Sequence, residues 1–347
     1  MPKKRIIYID SLKGLLIILV VLGHVIQFLY SPDNFDNNRI YRYIYCFHMS
    51  LFMMLSGFVT PVEFESFSQV MHKLSKRFMQ LVIPFISWSA LDLLLIGRYD
   101  IFRVLRNPEY GLWFLWVLFW INTFFIVGLW AMKFIKPSNI YISILIVYIV
   151  LRIFRLVFSG NYGVDLMVLY YPYFSIGSIL GYIASSTHSY KFQTRFLIYI
   201  TIILFFIYII GGYFYYRVLP IMERNWIIRL NSISIYRCIV ALSGCFSFFF
   251  FFHLLDKTAI LRRLNFHKLG IITLPIYAIH QIVIRRVFMP CSTIHDHELF
   301  TTWYGSIVAF TLVMFSSCIV YSIFKRNKYL CCLFLGINKS NESISRI

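Results

Sequence analysis

Two polar side chains, Lys13 and His24, stand inside an otherwise lipid-like run, SLKGLLIILVVLGHVIQFLY at residues 11 to 30. Imidazole titrates near neutral pH, so a histidine here can take a proton from a hydroxyl nucleophile. A lysine ammonium is a compact charge suited to phosphate. Their eleven-residue separation advances an α-helix by about 1,100°, three turns and about 20°, so both project from nearly one face. The rise between them is about 16 Å, half the hydrocarbon core of a bilayer. A lysine at the end of a first helix is ordinarily a positive-inside anchor, whereas an ionisable group at mid-membrane is usually functional. On one stripe, the pair suits an anionic, nucleotide-like donor held at the rim with its reactive end reaching His24.

Two further histidines share that depth. The stretch YCFHMSLFMMLSGF places His48 about 10 Å below the outer boundary of a helix running inward. LPIYAIH places His280 about 16 Å up a helix running outward, with Pro275 loosening that helix. Three histidines on three helices suit proton transfer; structural, hydrogen-bonded histidines are the competing reading. No acidic or cysteine ligand accompanies them, so no metal is expected. At the inner rim, Lys73, Lys76 and Arg77 lead into KLSKRFMQLVIPF. They form a phosphate-holding cluster with Lys13 if the third helix neighbours the first, and ordinary cytoplasmic loop charge if it does not.

The elements that must position these groups are membrane helices. With 60% hydrophobic residues, 20% aromatic, 14% charged and a mean hydropathy of +0.74, the 347 residues exclude an ordinary soluble domain. Apolar runs long enough to span occur at about 12 to 30, 41 to 59, 78 to 96, 112 to 134, 139 to 158, 163 to 183, 195 to 216, 232 to 254, 269 to 289 and 303 to 324. The expected fold is all-α, a polytopic integral membrane protein with about ten transmembrane helices. One membrane domain fills 1–325, with a short cytoplasmic tail at 326–347. With both termini inside, every lysine (3, 4, 13, 73, 76, 133, 136, 191, 257, 268, 325, 328, 339) falls on the cytoplasmic side. The net charge of +19 then reflects topology and lipid headgroup contact, not nucleic acid. The seven cysteines, among them Cys291, show neither metal spacing nor a disulfide framework.

The outer face is basic through arginine alone: Arg39, Arg42, Arg98, Arg103, Arg106, Arg152, Arg155, Arg217, Arg224, Arg229, Arg237, Arg285 and Arg286 map there. A guanidinium pairs bidentately with carboxylate or phosphate, and Trp113, Trp116, Trp226 and Trp303 offer stacking faces. Arg152, Arg155, Trp113 and Trp116 are therefore candidate contacts for an anionic, glycan-like or lipid-phosphate acceptor. Headgroup anchoring by arginine and an aromatic belt is the alternative.

In order along the chain, these residues resemble the membrane acyltransferase-3 family, which O-acetylates surface polysaccharides and related glycans. YIDSLKGLLIILVVLGH resembles its basic-residue, spacer and histidine signature, and FHMSLFMMLSGF its second-helix block, with Ser50 where proline is more usual. KRFMQLVIPF resembles its Arg-x-x-Arg stretch, with Gln80 in place of the second arginine; GLWFLWVLFW and IYAIHQ resemble two later blocks. The resemblance implies acetyl-CoA as cytoplasmic donor and acetyl transfer to a hydroxyl of a surface polysaccharide or lipid-linked glycan at a bacterial inner membrane. His24 would be the base or acyl-handling residue, with Lys13 and Arg77 on the CoA. Direct transfer and an acyl-histidine intermediate both stay open, as does another acyl group such as succinyl. The alternative from a different class is a non-catalytic glycan or lipid-glycan translocation protein on the same scaffold.

Overall fold

A computed structural model describes residues 5–30, 32, 34–135, 139–185, 194–222, 226–258, 260–290 and 302–337, with backbone alone at 135, 215–222 and 226–234. Lys3, Lys4, Lys136, Lys191, Lys339, Arg224 and Cys291 lie outside the described residues, as do the side chains of Arg217, Trp226 and Arg229.

Every regular element among the described residues is helical. In chain order they are α1 (Ile7–Val25), α2 (Arg39–Phe58), α3 (Phe67–Arg77), α4 (Ile83–Leu95), α5 (Ile101–Arg106), α6 (Trp113–Ile135), α7 (Ile140–Phe158) and α8 (Val164–Ser185). There follow α9 (Thr194–Met222), α10 (Trp226–Asp256), α11 (Ile260–Leu264), α12 (Phe266–Ile271), α13 (Thr273–Val283), α14 (Trp303–Arg326) and α15 (Lys328–Leu335). Short π-helical segments continue α1 at Ile26–Tyr30, join α3 to α4 at Phe78–Val82, and continue α13 at Ile284–Phe288.

Eight of these stretches are long and apolar enough to cross a membrane, so the chain is an all-α, multi-pass membrane protein. The two other expected spans are helical as well, as α2 and as α13 with its continuation, but are not among the eight. They carry His48 and His280 together with Arg39, Arg42, Arg285 and Arg286, and that polarity lowers their apolar content. The ninth expected span is also not one piece. The chain turns at Ile272 (φ −102°, ψ 17°) between α12 and α13. Pro275 therefore sits in the first turn of α13, where a missing N–H costs no hydrogen bond, and does not loosen the helix.

The chain forms two compact units, residues Met1–Phe52 with Ser189–Ser317, and Met53–His188 with Cys318–Ile347. In the first, α1 meets α12 backbone to backbone: a methyl at Gly14 would overlap the Phe266 carbonyl, and one at Gly270 the Asp10 carbonyl. The early part of α2 is held by α9 through Tyr208 Oη donating to Tyr43 O (2.8 Å) and Tyr43 Oη donating to Ile209 O (3.1 Å).

In the second unit, the end of α2 lies against α8 in the same way. Added methyls at Gly57, Gly177 and Gly181 would overlap the carbonyls of Phe174, Met54 and Phe58, and Ser178 Oγ donates to Gly57 O at 3.1 Å. This is small-residue packing of the kind that lets membrane helices approach. Gly177→Val must push the backbones apart and is expected to cost about 3 kcal/mol, the upper end for overpacking. Thermal unfolding in detergent reads this as a lower midpoint; an unchanged midpoint would contradict the packing. The segment expected to be a tail begins with α15, whose Phe334 carbonyl accepts from Trp88 Nε1 at 2.8 Å.

Within this unit the helix ends gather in two sets. At one end the α4–α5 link, α5 and the α7–α8 turn gather with Arg103, Arg106 and Arg155. At the other the α2–α3 and α6–α7 links meet the end of α8, with Lys73 and Lys133.

Candidate active site

The first unit brings His24 and His280 into direct contact. His280 Nε2 lies 3.1 Å from His24 Nδ1, and the ring centroids are 5.0 Å apart. His280 Nδ1 lies 2.9 Å from the carbonyl of Ile276, one turn back in its own helix. A carbonyl only accepts, so His280 Nδ1 carries the proton and, in the neutral ring, its Nε2 is an acceptor. His24 must then donate from Nδ1. The neutral His24 is thus left with a lone pair on Nε2, the nitrogen facing away from its partner. This is the arrangement of a base oriented by a second side chain.

Burial agrees with that order of roles. His280 is fully buried at 0% exposure and His48 at 2%, whereas His24 remains partly accessible. His48 is anchored in the same fashion, its Nδ1 2.7 Å from the Ile44 carbonyl, which also leaves its Nε2 unprotonated in the neutral ring. It makes no hydrogen bond to His24 or His280 among the described residues. The ring of Tyr45 links them instead, at 4.7 Å from His48 and 6.3 Å from His24.

Aromatic side chains fix the His24 ring. Phe28 stacks on it at 5.9 Å with the planes 9° apart, and Tyr45 meets it edge-on at 80°. Tyr45 itself stacks on Tyr41 at 3.9 Å, and its hydroxyl donates to Gln27 Oε1 at 3.2 Å. Gly23 makes this approach feasible, because a methyl there would come within 2.8 Å of the Tyr45 ring. The Arg285 guanidinium lies 5.3 Å from the centroid of the Phe28 ring. A positive charge sits one ring away from the histidine pair.

Among the described residues, each of the three π-helical segments begins within four residues after a candidate residue. One begins two residues after His24, one immediately after Arg77 and one four residues after His280. Such insertions re-aim side chains and are frequent at functional sites. Sequence reasoning did not single out Gln27, Phe28 or Tyr45. The available signal was helical spacing alone: Gln27 and Phe28 lie three and four residues beyond His24, and Tyr45 three before His48.

The remaining candidates divide between the units. Lys13 lies in the first, on α1, which packs against α11 and α12; those helices carry Arg262, Arg263 and Lys268, basic residues not selected from sequence. Lys73, Lys76 and Arg77 lie in the second, on the last two turns of α3. Lys76 is exposed and Lys73 partly so. Arg77 turns inward: its Nε is buried without a hydrogen-bond partner among the described residues, and a terminal nitrogen reaches Thr60 Oγ1 at 3.5 Å. Thr60 in turn donates to Ser56 O at 2.8 Å and lies 3.3 Å from Asn122 Oδ1. An arginine desolvated in this way is costly unless an anion meets it. Gln80, where the resemblance expects a second arginine, lies against Gly336 at the end of α15.

Four candidate acceptor contacts lie at the opposite end of the second unit. Arg155 Nε pairs with Asp165 Oδ1 at 2.5 Å, and Asp165 also accepts from Gly160 N at 2.6 Å. Trp116 Nε1 donates to Tyr162 O at 2.9 Å. Both residues thus shape the 159–163 turn, where Gly160, Tyr162 and Gly163 take positive φ. Trp113 stacks on Tyr170 at 5.4 Å, and Arg152 is exposed.

Over residues 6–324 the chain matches the family described as an acyltransferase domain. The nodulation protein NolL of Sinorhizobium fredii is 42% identical over 91 residues, covering 25% of this chain and 24% of that protein. NolL of Mesorhizobium japonicum is 38% identical over 86 residues, covering 24% and 22%. The chain thus spans about a quarter of the length of these curated relatives. No solved structure matches.

Proposed function

The chain belongs to the acyltransferase-3 family, and from that premise we propose that it moves an acetyl group from acetyl-CoA to a hydroxyl of a surface polysaccharide or lipid-linked glycan. Its class, a membrane acyltransferase, sets aside the non-catalytic translocation reading. The proposed site is the cytoplasmic membrane of a bacterium, with both termini inside and the acceptor outside, in keeping with the confinement of lysine to one set of loops.

The observation that carries the proposal is the His24–His280 hydrogen bond, with His280 Nδ1 tied to Ile276. Unprotonated Nε2 of His24 takes the proton of the acceptor hydroxyl while its oxygen attacks the thioester carbonyl. The carbon–sulfur bond breaks, the ester forms, and the proton passes from His24 to the leaving thiolate, giving free CoA. His280 holds the ring and stabilises the imidazolium by accepting from Nδ1. His48, anchored at a similar depth, is proposed to present a second unprotonated nitrogen to the reacting groups.

Donor phosphates are assigned to cations on the proposed cytoplasmic side. Arg77 is the strongest of these, because a buried guanidinium with an unpartnered Nε gains most from an anion. Lys13, Lys73 and Lys76 are the accompanying charges. On the acceptor side Arg152 is the exposed cation, Trp113 and Trp116 are the proposed sugar-facing rings, and Arg155 contributes through the 159–163 turn. An anionic acceptor suits these arginines. The test is the purified protein in nanodiscs with acetyl-CoA and a lipid-linked or polysaccharide acceptor. Release of free thiol with an acetyl ester on the glycan, located by NMR, is expected; thiol release without glycan modification would overturn the acceptor.

A further inference from the structure

In the second unit, the links expected on the cytoplasmic side enclose a cleft of about 570 Å³. Phe64, Trp130, Tyr141 and Tyr182 supply its aromatic surface, and Glu63, Glu65 and Lys133 its charges. A neighbouring cleft of about 400 Å³ shares Glu63 and Phe64 and is lined also by His72 and Lys73. Lys133 ties the wall together: its Nζ donates to Phe64 O at 3.1 Å and lies 5.3 Å from the centre of the Trp130 ring. Tyr141 is 49% exposed beside it.

The geometry points to a purine-nucleotide site: the cleft takes the adenosine end of the acyl donor, with the base stacked on Trp130 and Tyr141. This rests on the reading that the donor is acetyl-CoA. Each part of a nucleotide has a counterpart here. Aromatic faces stack bases of any identity. A carboxylate accepts from ribose hydroxyls, the role open to Glu63, whereas Glu65 already accepts from Gln69 Nε2 at 3.1 Å. His72 and Lys73 in the neighbouring cleft face the phosphates. Two carboxylates at the rim would repel a bare phosphate, so a ligand that also brings donors is favoured over an inorganic anion. Lys73 and Arg77 are four residues apart on one face of α3, which leads from this cleft toward the unpartnered Arg77 Nε.

The test uses the full chain in nanodiscs with two donors, acetyl-CoA and acetyl-pantetheine, which lacks the nucleotide. Trp130→Ala is expected to raise the KM for acetyl-CoA about tenfold, the scale of one lost base stack, with acetyl-pantetheine not registering the change. Because Trp130 also packs against Phe134, at 5.2 Å, the exposed Tyr141→Ala provides a second variant, with about a threefold rise expected. Binding of adenosine 3′,5′-bisphosphate, followed by calorimetry, should weaken by the same factors. Equal rises for both donors, or an unchanged KM and unchanged nucleotide binding in both variants, would overturn the cleft assignment. A chain that binds the bisphosphate through Trp130 yet turns over no acetyl-CoA would keep the nucleotide site and reject the donor.

Discussion

His24→Ala lowers the acyl-transfer rate about 10³-fold, within the range that a positioned general base supplies. The expectation follows from the hydrogen-bond inventory around the site. Of the three histidines, His280 has both nitrogens engaged, one by Ile276 and one by His24 itself. Among the described residues His48 Nε2 has no hydrogen-bond partner, and His48 reaches His24 only across the Tyr45 ring. Removing His24 leaves no partly accessible base beside Phe28 and Tyr45. His48→Ala is accordingly a smaller loss, about tenfold, at the low side of acid–base contributions. Quantifying folded protein by size exclusion before the assay separates catalysis from stability. Retained transfer in well-folded His24→Ala protein would reject the catalytic assignment.

The second large effect concerns a residue that does not touch the reacting atoms. His280 is a positioning residue: its Nε2 accepts from His24 Nδ1 and so sets which His24 nitrogen is basic. His280→Leu removes that acceptor, and His24 loses the partner that selects its tautomer. A loss of about 10²-fold in kcat is expected, by analogy with the cost of a wrong tautomer in other base–orienter pairs. His280→Gln can offer an amide oxygen near the lost nitrogen and should recover to within about tenfold of the native rate. A merely space-filling role predicts the reverse order, because leucine suits a fully buried position better than an amide does. Equal loss in the two variants would remove the orienting role.

The sequence carries much of this site because its chemistry is local to helices. Spacing along α1 and depth along α2 and α13 are enough to single out His24, His48 and His280, since a helix converts residue number into height at a fixed rise. It does not report azimuth between helices, so the hydrogen bond between His24 and His280, and the lack of one to His48, appear only in three dimensions. Tyr45 and Phe28 escaped for a related reason: aromatic residues are abundant in a chain with 20% of them, and nothing in their type separates a ring on His24 from a ring facing lipid. The π-helical segments are backbone adjustments with no composition signal. Arg155 and Trp116 show the limit on the acceptor side, where outward basic and aromatic character was legible but their engagement with Asp165 and the Tyr162 carbonyl was not.

The break at Ile272 was hidden by the continuous apolar run on either side of it, and it matters for α1. Because α12 ends there, Gly270 can press on the Asp10 carbonyl while α13 starts afresh and carries His280 to His24. The glycine contact thus fastens α1 to α12 near Lys13, and the histidine contact fastens the last turn of α1 to α13. Lys13 lies on α1, and the basic residues Arg262, Arg263 and Lys268 lie on α11 and α12, which pack against that helix within the unit.

The claim on which the mechanism depends is that His24 presents an unprotonated Nε2 because His280 holds its Nδ1–H. Solid-state nitrogen NMR of the protein in lipid, with labelled histidine and His24→Gln as the assignment control, measures this directly. The expected spectrum places His24 Nδ1 with the protonated ring nitrogens and Nε2 with the unprotonated ones, and His280→Leu redistributes the two. A His24 signal protonated at Nε2 and bare at Nδ1 in the native protein would contradict the account.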